Sequence, residues 1–433
     1  MDGDDTDLSF LVPRVSQEVA LLKADPRLAA PSGTRGAALR DHVLDLIGAV
    51  EQRISASPAS NAGGLARKAY ARSLRQAVVE LQSAHRALPW LEATRTPHLN
   101  LGSLFLTEEY AGHLIGTNVD LVVVPDAEYM YSTTSWPFRE YINGTPGFAP
   151  SNTRRPIVLN FPLTDADSVF LHPIFAHELG HSSVDEYDLT AAAVARVESE
   201  PAYHPERAAA VAAVKSAMPT WTDADVDQWL DERLDAWATE LLCDALALDV
   251  AGVPFLFALA SFVLALSYGE PGQDHPPNTL RFNLALQQAT ARGWDPYLMA
   301  IAPGIRGWLG GVSAEALTYS QQPFSFLVNA LLRSADAFHE LAAARTGANA
   351  IVPSECAAHA STAAELLSHS ILPVELDEPL DRRGILAGGW EAAIARHGDS
   401  PDGFVAATSD RTLQELVGKA LESSVVLEAW GQL

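Results

Sequence analysis

Two histidines four residues apart, with a glutamate directly after the first, stand in "FAHELGHSSVDEYD", residues 175–188. On a helix, positions i and i+4 share one face a turn apart, so His177 and His181 can aim imidazole nitrogens at a single point. Glu178 then stands beside that point, placed to hold a water or take a proton without being a ligand itself. These residue types at this spacing suit metal-assisted hydrolysis, which needs a Lewis acid and a nearby general base. A third ligand must come from elsewhere. One common layout places Gly and a third His shortly after the motif, but Val184 and Tyr187 occupy those positions and exclude it in its usual form.

The other common layout takes a glutamate from a second helix, and "ELLCD" supplies Glu240, with Asp244 one turn further along the same face. A carboxylate at Asp244 would accept the other ring N–H of a ligating histidine, fixing its tautomer and raising its basicity. The competing readings are a pair of helix histidines satisfied by hydrogen bonds in the core, and a solvated acidic face at Glu240 and Asp244. Further donors in reach are Tyr187, His172 and Tyr268. Cys243 reads as a small core residue turned away from the Glu240 face. Cys356 and His359, spaced C-x-x-H, lack the second pair of thiols that a structural zinc would need.

The elements that must position these residues are mostly helical. Residues 1–97 carry three apolar-periodic stretches, "LSFLVPRVSQEVALLKA", "GAALRDHVLDLIGAVEQRI" and "GLARKAYARSLRQAVVELQSAHRAL", with a loop at "SASPASNAGG". Short β-branched runs at "VDLVVVPD" and "RRPIVLNFP" predict a small sheet just before the histidine motif, where an edge strand could hold an extended substrate. Pro173 sets the start of the histidine helix, near His172 or Pro173. A long helix over 222–252 follows, with Thr222 or Asp223 as cap, Gly252 as stop, and an apolar stripe from Val226 through Trp237 to Leu248. Beyond residue 282 the chain reads as helical, with a Gly-rich break at "RRGILAGGWEAA".

Composition narrows the classes. The chain has 433 residues, 48% hydrophobic and 19% charged, which is the profile of a packed globular protein of two or three domains or one elaborated one. Its net charge of -25, without any Lys/Arg-rich run, argues against binding nucleic acid or an anionic membrane. Two cysteines give no disulfide framework, and the acidic "MDGDDTDLSF" is unlike a signal peptide, so the expected location is cytoplasmic. The uncharged stretch 250–266, "VAGVPFLFALASFVLAL", is short for a bilayer span and reads as a buried core helix, with a membrane anchor as its rival.

After that stretch, "HPPNTLR" sets His275-Pro276-Pro277 before Arg281. With H-E-x-x-H and E-x-x-x-D upstream in that order, it resembles the HPP-x-x-x-R segment of the HtpX-like and CAAX-prenyl-protease-like gluzincin peptidases, over residues 155–290. The resemblance implies a zinc ion held by His177, His181 and Glu240, Glu178 as general base, Asp244 as support behind a ligand, and His275 and Arg281 as helpers near the oxyanion or behind the ligands. Those families are multi-spanning membrane enzymes, whereas this chain has long helical flanks that do not read as spans, so a prenylated or membrane substrate is not implied. For the HPP segment the competing reading is a turn leading into a helix, with Arg281 in a structural ion pair.

The expected fold is therefore α+β, mostly α: a zincin-like core with a small sheet over 98–290, between helical regions 1–97 and 291–433. The expected activity is zinc-dependent hydrolysis of peptide bonds in a peptide or protein substrate, the metal leaving one position open to water and Glu178 taking its proton. The alternative from another class is a zincin-shaped binding or regulatory protein whose zinc only holds helices together.

Overall fold

The computed structural model describes residues 3–29, 35–58, 64–94, 99–135, 137–265, 274–308, 322–373 and 380–431. It is α+β and mostly helical, with a single three-stranded sheet among the described residues. The chain forms two compact units, one of residues 1–98 and 117–163, the other of 99–116 and 164–433. The strands thus belong with the N-terminal helices, and the C-terminal helices belong with the histidine helix, a grouping that differs from boundaries at 97 and 290.

In the first unit, the helices Gly3–Lys23, Ala37–Ser55 and Gly64–Ala93 follow the three periodic stretches. Their apolar faces meet in one core with Val15, Leu46, Leu74, Leu81, Val122 and Val158. Strand β1 (Val119–Asp126) pairs in parallel with β3 (Arg155–Pro162), and β2 (Ser132–Ser135) pairs antiparallel with β3, giving the order β1-β3-β2. The two β-branched runs supply β1 and β3. The third strand, "STTS", is short and polar, and it forms because β3 offers it a free edge rather than because it carries an apolar alternation.

In the second unit, the histidine helix runs Ile174–Tyr187 with Pro173 as its N-cap. It packs on the helix Asp223–Ala251, whose first turn is closed by a capping box between Thr222 and Asp225 and whose last turn ends at Gly252. Gly252 has a φ of 68°, a conformation that costs a side chain little only when there is none. Most of the apolar stretch 250–266 lies beyond that stop, in the helix Val253–Ala265. Its buried residues pack against others of this unit, Phe257 meeting Trp390 at 5.6 Å and Phe404 at 5.5 Å between ring centroids. No described helix is long and apolar enough to cross a membrane; residue 266 lies outside the described residues.

The Gly-rich stretch "RRGILAGGWEAA" is not a break. It lies within one helix, Arg382–His397, packed along the helix Pro353–Ser368. Its glycines serve contact: a Cβ on Gly388 would come 2.4 Å from the Ala360 carbonyl oxygen and 2.7 Å from Ala363 Cβ. Small residues at such a seam let two backbones approach, so the helical penalty of glycine is offset by packing. Replacement of Gly by Ala in an open helix stabilises by about 1 kcal/mol. Gly388→Ala is expected to act oppositely, lowering the urea midpoint with a loss of about 1–3 kcal/mol. Gly48→Ala, in a helix where a Cβ meets nothing within 4 Å, is expected to raise it.

Candidate metal centre

Three helices of the second unit bring the site together. The histidine helix contributes His177, Glu178 and His181, the helix Asp223–Ala251 contributes Glu240 and Asp244, and the helix Asn278–Ala291 contributes Arg281. At residue 180 a glycine eases the approach of the first two. A Cβ there would stand 3.1 Å from Cys243 Cα and 3.2 Å from its Cβ. Cys243 is therefore a small core residue, as its type suggests, and it packs against the histidine helix at Gly180. Lying between Glu240 and Asp244 in sequence, it marks the level at which both carboxylates reach across.

His177, His181 and Glu240 each present a ligand atom within 4.8 Å of the others, the only such His/Cys/Asp/Glu group among the described residues. Glu240 bridges the pair: its Oε2 is 3.4 Å from His177 Nε2 and its Oε1 3.4 Å from His181 Nε2. Glu240 thus meets each histidine through a different oxygen, and the three groups together could hold a metal ion. Glu240 Oε2 is also buried and accepts no hydrogen bond, although Arg281 Nη1 lies 3.2 Å away. A buried carboxylate oxygen without a hydrogen bond is the kind of atom that a cation satisfies. The two imidazole rings stand at 88° with centroids 5.1 Å apart, and Phe255 lies parallel to His177 at 6.4 Å.

Behind the ligands is a second layer. His177 Nδ1 is 2.8 Å from Asp244 Oδ1, which turns Nε2 toward Glu240, and Arg281 Nη2 lies 3.4 Å from both ring nitrogens. Arg281, buried, donates from Nε to Asp244 Oδ2 at 2.8 Å and from Nη2 to Oδ1 at 2.7 Å, a two-pronged pair. Arg281 is thus committed to both carboxylates and stays buried behind them. His275 is placed otherwise: 60% exposed, with Nε2 3.7 Å from Glu240 Oε1. The three sequence elements that suggested a site therefore converge in space, with Arg281 inside and His275 at the solvent side.

Electrostatics separates the members. Burial opposes charge on His177, but Asp244 and Glu240 outweigh it and raise its pKa to about 10, with Arg281 working against them. Burial and the neighbouring His177 push His181 down, a direction softened by the 31% of its side chain that reaches solvent. Burial would raise Glu240, but Arg281 and the two histidines hold it well below the usual carboxylate range. For Glu178, 8% exposed, burial dominates; His177 pulls against it, Glu240 adds to it, and the carboxyl rises to about 7.

The other candidates stand apart. The Tyr187 ring lies under the Arg345 guanidinium at 4.1 Å. His172 is stacked on Phe175 at 5.1 Å, its Nε2 donating to the Asp165 carbonyl at 3.3 Å. His359 Nδ1 accepts from the Asp381 backbone N–H at 2.9 Å, and Cys356 is buried and unbridged. Tyr268 lies outside the described residues. The motifs alone do not show the glycine contact at residue 180 or the double commitment of Arg281; a glycine in mid-helix is the signal the sequence holds for the first.

Comparison with protein families, curated proteins and solved structures gives no match to this chain, and the resemblance to gluzincin peptidases stays with the three short motifs that carry it.

Two measurements follow. His181→Ala is expected to abolish tight binding of one divalent ion per chain, and Asp244→Asn to weaken it about 10–100-fold, read by competition with a chromophoric chelator. The second concerns stability. Burial lowers His172 to about 4, below the ordinary value of 6.5, so the unfolded chain binds the extra proton first. Its contribution is complete above pH 6.5 and is lost as pH falls toward 4, up to about 3 kcal/mol. His172→Phe is expected to flatten that part of the stability profile; an unchanged slope would show that His172 carries none of it.

Proposed function

We propose that the chain is a zinc-dependent metallopeptidase of zincin-like architecture acting on a peptide or protein substrate. The observation that carries this is the convergence of His177, His181 and Glu240 on one point, with a buried Glu178 of raised pKa beside it and an exposed His275 on the open side. When bound, zinc would supply Lewis acidity toward a water and the scissile carbonyl, the chemistry for which two imidazoles and one carboxylate are suited. The chain's own residues do the rest. Asp244 holds the Nδ1 proton of His177 and so keeps Nε2 as the ligating nitrogen. Arg281 fixes Asp244 and Glu240 in register and offsets their charge. Glu178, buried and directly after His177, is placed to take a proton from a water and return it to the leaving group. His275, the most exposed of the group, is the residue an incoming carbonyl meets.

One observation favours a second reading. His275 Nε2 lies 3.7 Å from Glu240 Oε1, close enough that a small shift would make it a fourth ligand and close the site, as in structural zinc centres. In that case the protein would use the metal to tie three helices together.

The test is metal content and peptide cleavage, measured on the parent, Glu178→Gln and His275→Ala. The peptidase reading expects about one zinc in all three, with cleavage of a mixed peptide library reduced about 10²–10⁴-fold in Glu178→Gln. Zinc lost from His275→Ala, with no cleavage by the parent, supports the structural centre. A parent chain that binds no zinc removes both readings.

A further inference from the structure

A groove of about 570 Å³ lies elsewhere in the second unit, between the last helix, Arg411–Gly431, and the segment 164–169. The size suits a small organic ligand. One wall is a single helical face: Arg411, Gln414, Glu415, Lys419 and Glu422 recur at helical spacing. The opposite wall is Thr164–Val169, which runs into the turn Val169–Leu171 just before the histidine helix. One end is fixed by Glu422 Oε1, which accepts from the Leu101 backbone N–H at 3.1 Å.

Two buried polar atoms, one on each wall, have no partner. Gln414, 6% exposed, donates from Nε2 to the Thr408 carbonyl at 2.7 Å, but its Oε1 accepts nothing. Ser168, 9% exposed, has an unpaired Oγ. Each such atom costs about 1–3 kcal/mol if left unsatisfied, and both lie out of solvent's reach, so a ligand toward which either side chain turns recovers that cost, Gln414 Oε1 as an acceptor and Ser168 Oγ as donor or acceptor.

The charges narrow the ligand. Three carboxylates, Asp167, Glu415 and Glu422, face two cations, Arg411 and Lys419. A phosphate or other multiply charged anion is opposed by that excess of carboxylate. A bare metal ion is not indicated, since no described acidic group outside the His177 site converges closely enough. The lining has no aromatic ring, so a nucleobase, a stacked sugar or a lipid chain finds no platform. What fits is a molecule with an ammonium and a carboxylate. We propose that this groove binds a free amino acid or a short peptide with unblocked ends, its ammonium donating to Gln414 Oε1 and the carboxylates, its carboxylate held by Arg411 and Lys419. None of these residues belongs to the metal site, so the proposal stands whether or not the chain is a peptidase.

The probe is unblocked Ala-Ala, titrated calorimetrically into the full chain and into His181→Ala, which removes the metal site as a competing binder. Saturable binding is expected in both. N-acetylation or C-terminal amidation of the probe should weaken it roughly tenfold or more, as loss of one charge-assisted hydrogen bond does. Lys419→Ala and Arg411→Ala, both at exposed positions and so safe for folding, should weaken it similarly, as should Gln414→Leu if circular dichroism shows it folded. The proposal is overturned if unblocked Ala-Ala does not saturate, if blocked dipeptide or inorganic phosphate binds as tightly, or if binding vanishes in His181→Ala while ignoring Lys419→Ala.

Discussion

Two carboxylates one turn apart on a buried helix impose a condition that the surrounding structure must meet. Left alone in the interior, Glu240 and Asp244 would have to give up their charge, because desolvation penalises an ionised carboxylate heavily. Both instead remain strongly acidic, because Arg281 and the histidines face them. The countercharges come from two other helices, so three helices must meet at one level, and a glycine at position 180 eases the approach of two of them. Removing Arg281 or either carboxylate would leave an uncompensated charge inside the protein, which costs more than the pairing contributes.

That condition explains which parts were legible beforehand. H-E-x-x-H, E-x-x-x-D and Arg281 are each short patterns, and E-x-x-x-D alone is a common accident on helices. Their joint meaning comes from helical geometry, which puts i and i+4 on one face, so the sequence could say which side chains point together even where it could not say at what. The long helix ending at Gly252 and the histidine helix starting after Pro173 were legible for the same local reason, since caps and stops are written in adjacent residues.

What was not legible depends on partners distant in sequence. The strand Ser132–Ser135 has no apolar alternation and exists because β3 presents an edge. Gly384, Gly388 and Gly389 look like a break when taken alone, yet each lies against a packed neighbour, His359, Ala360 and Val417 respectively. Arg281 could be read as a helper near the oxyanion or as a structural ion pair, and only its distances to Asp244 and Glu240 separate the two. The grouping of the strands with the N-terminal helices is likewise a tertiary fact, since sequence order places them next to the histidine helix.

The same electrostatics also divides labour between the two glutamates without appeal to a motif. Both Glu178 and Glu240 are buried at one cluster, and burial raises each. Glu240 has Arg281 Nη1 at 3.2 Å and a histidine nitrogen at 3.4 Å from each of its oxygens, so its charge is held and it stays a ligand-ready anion. Glu178 also feels His177 and Arg281, but burial outweighs them and Glu240 works against them, so its carboxyl rises to about 7. The two carboxyls are thus driven apart before any metal binds: the one held ionised is ready for a cation, and the one that burial raises is the more readily protonated. In the proposed peptidase, the difference between ligand and base would thus follow from where Arg281 sits.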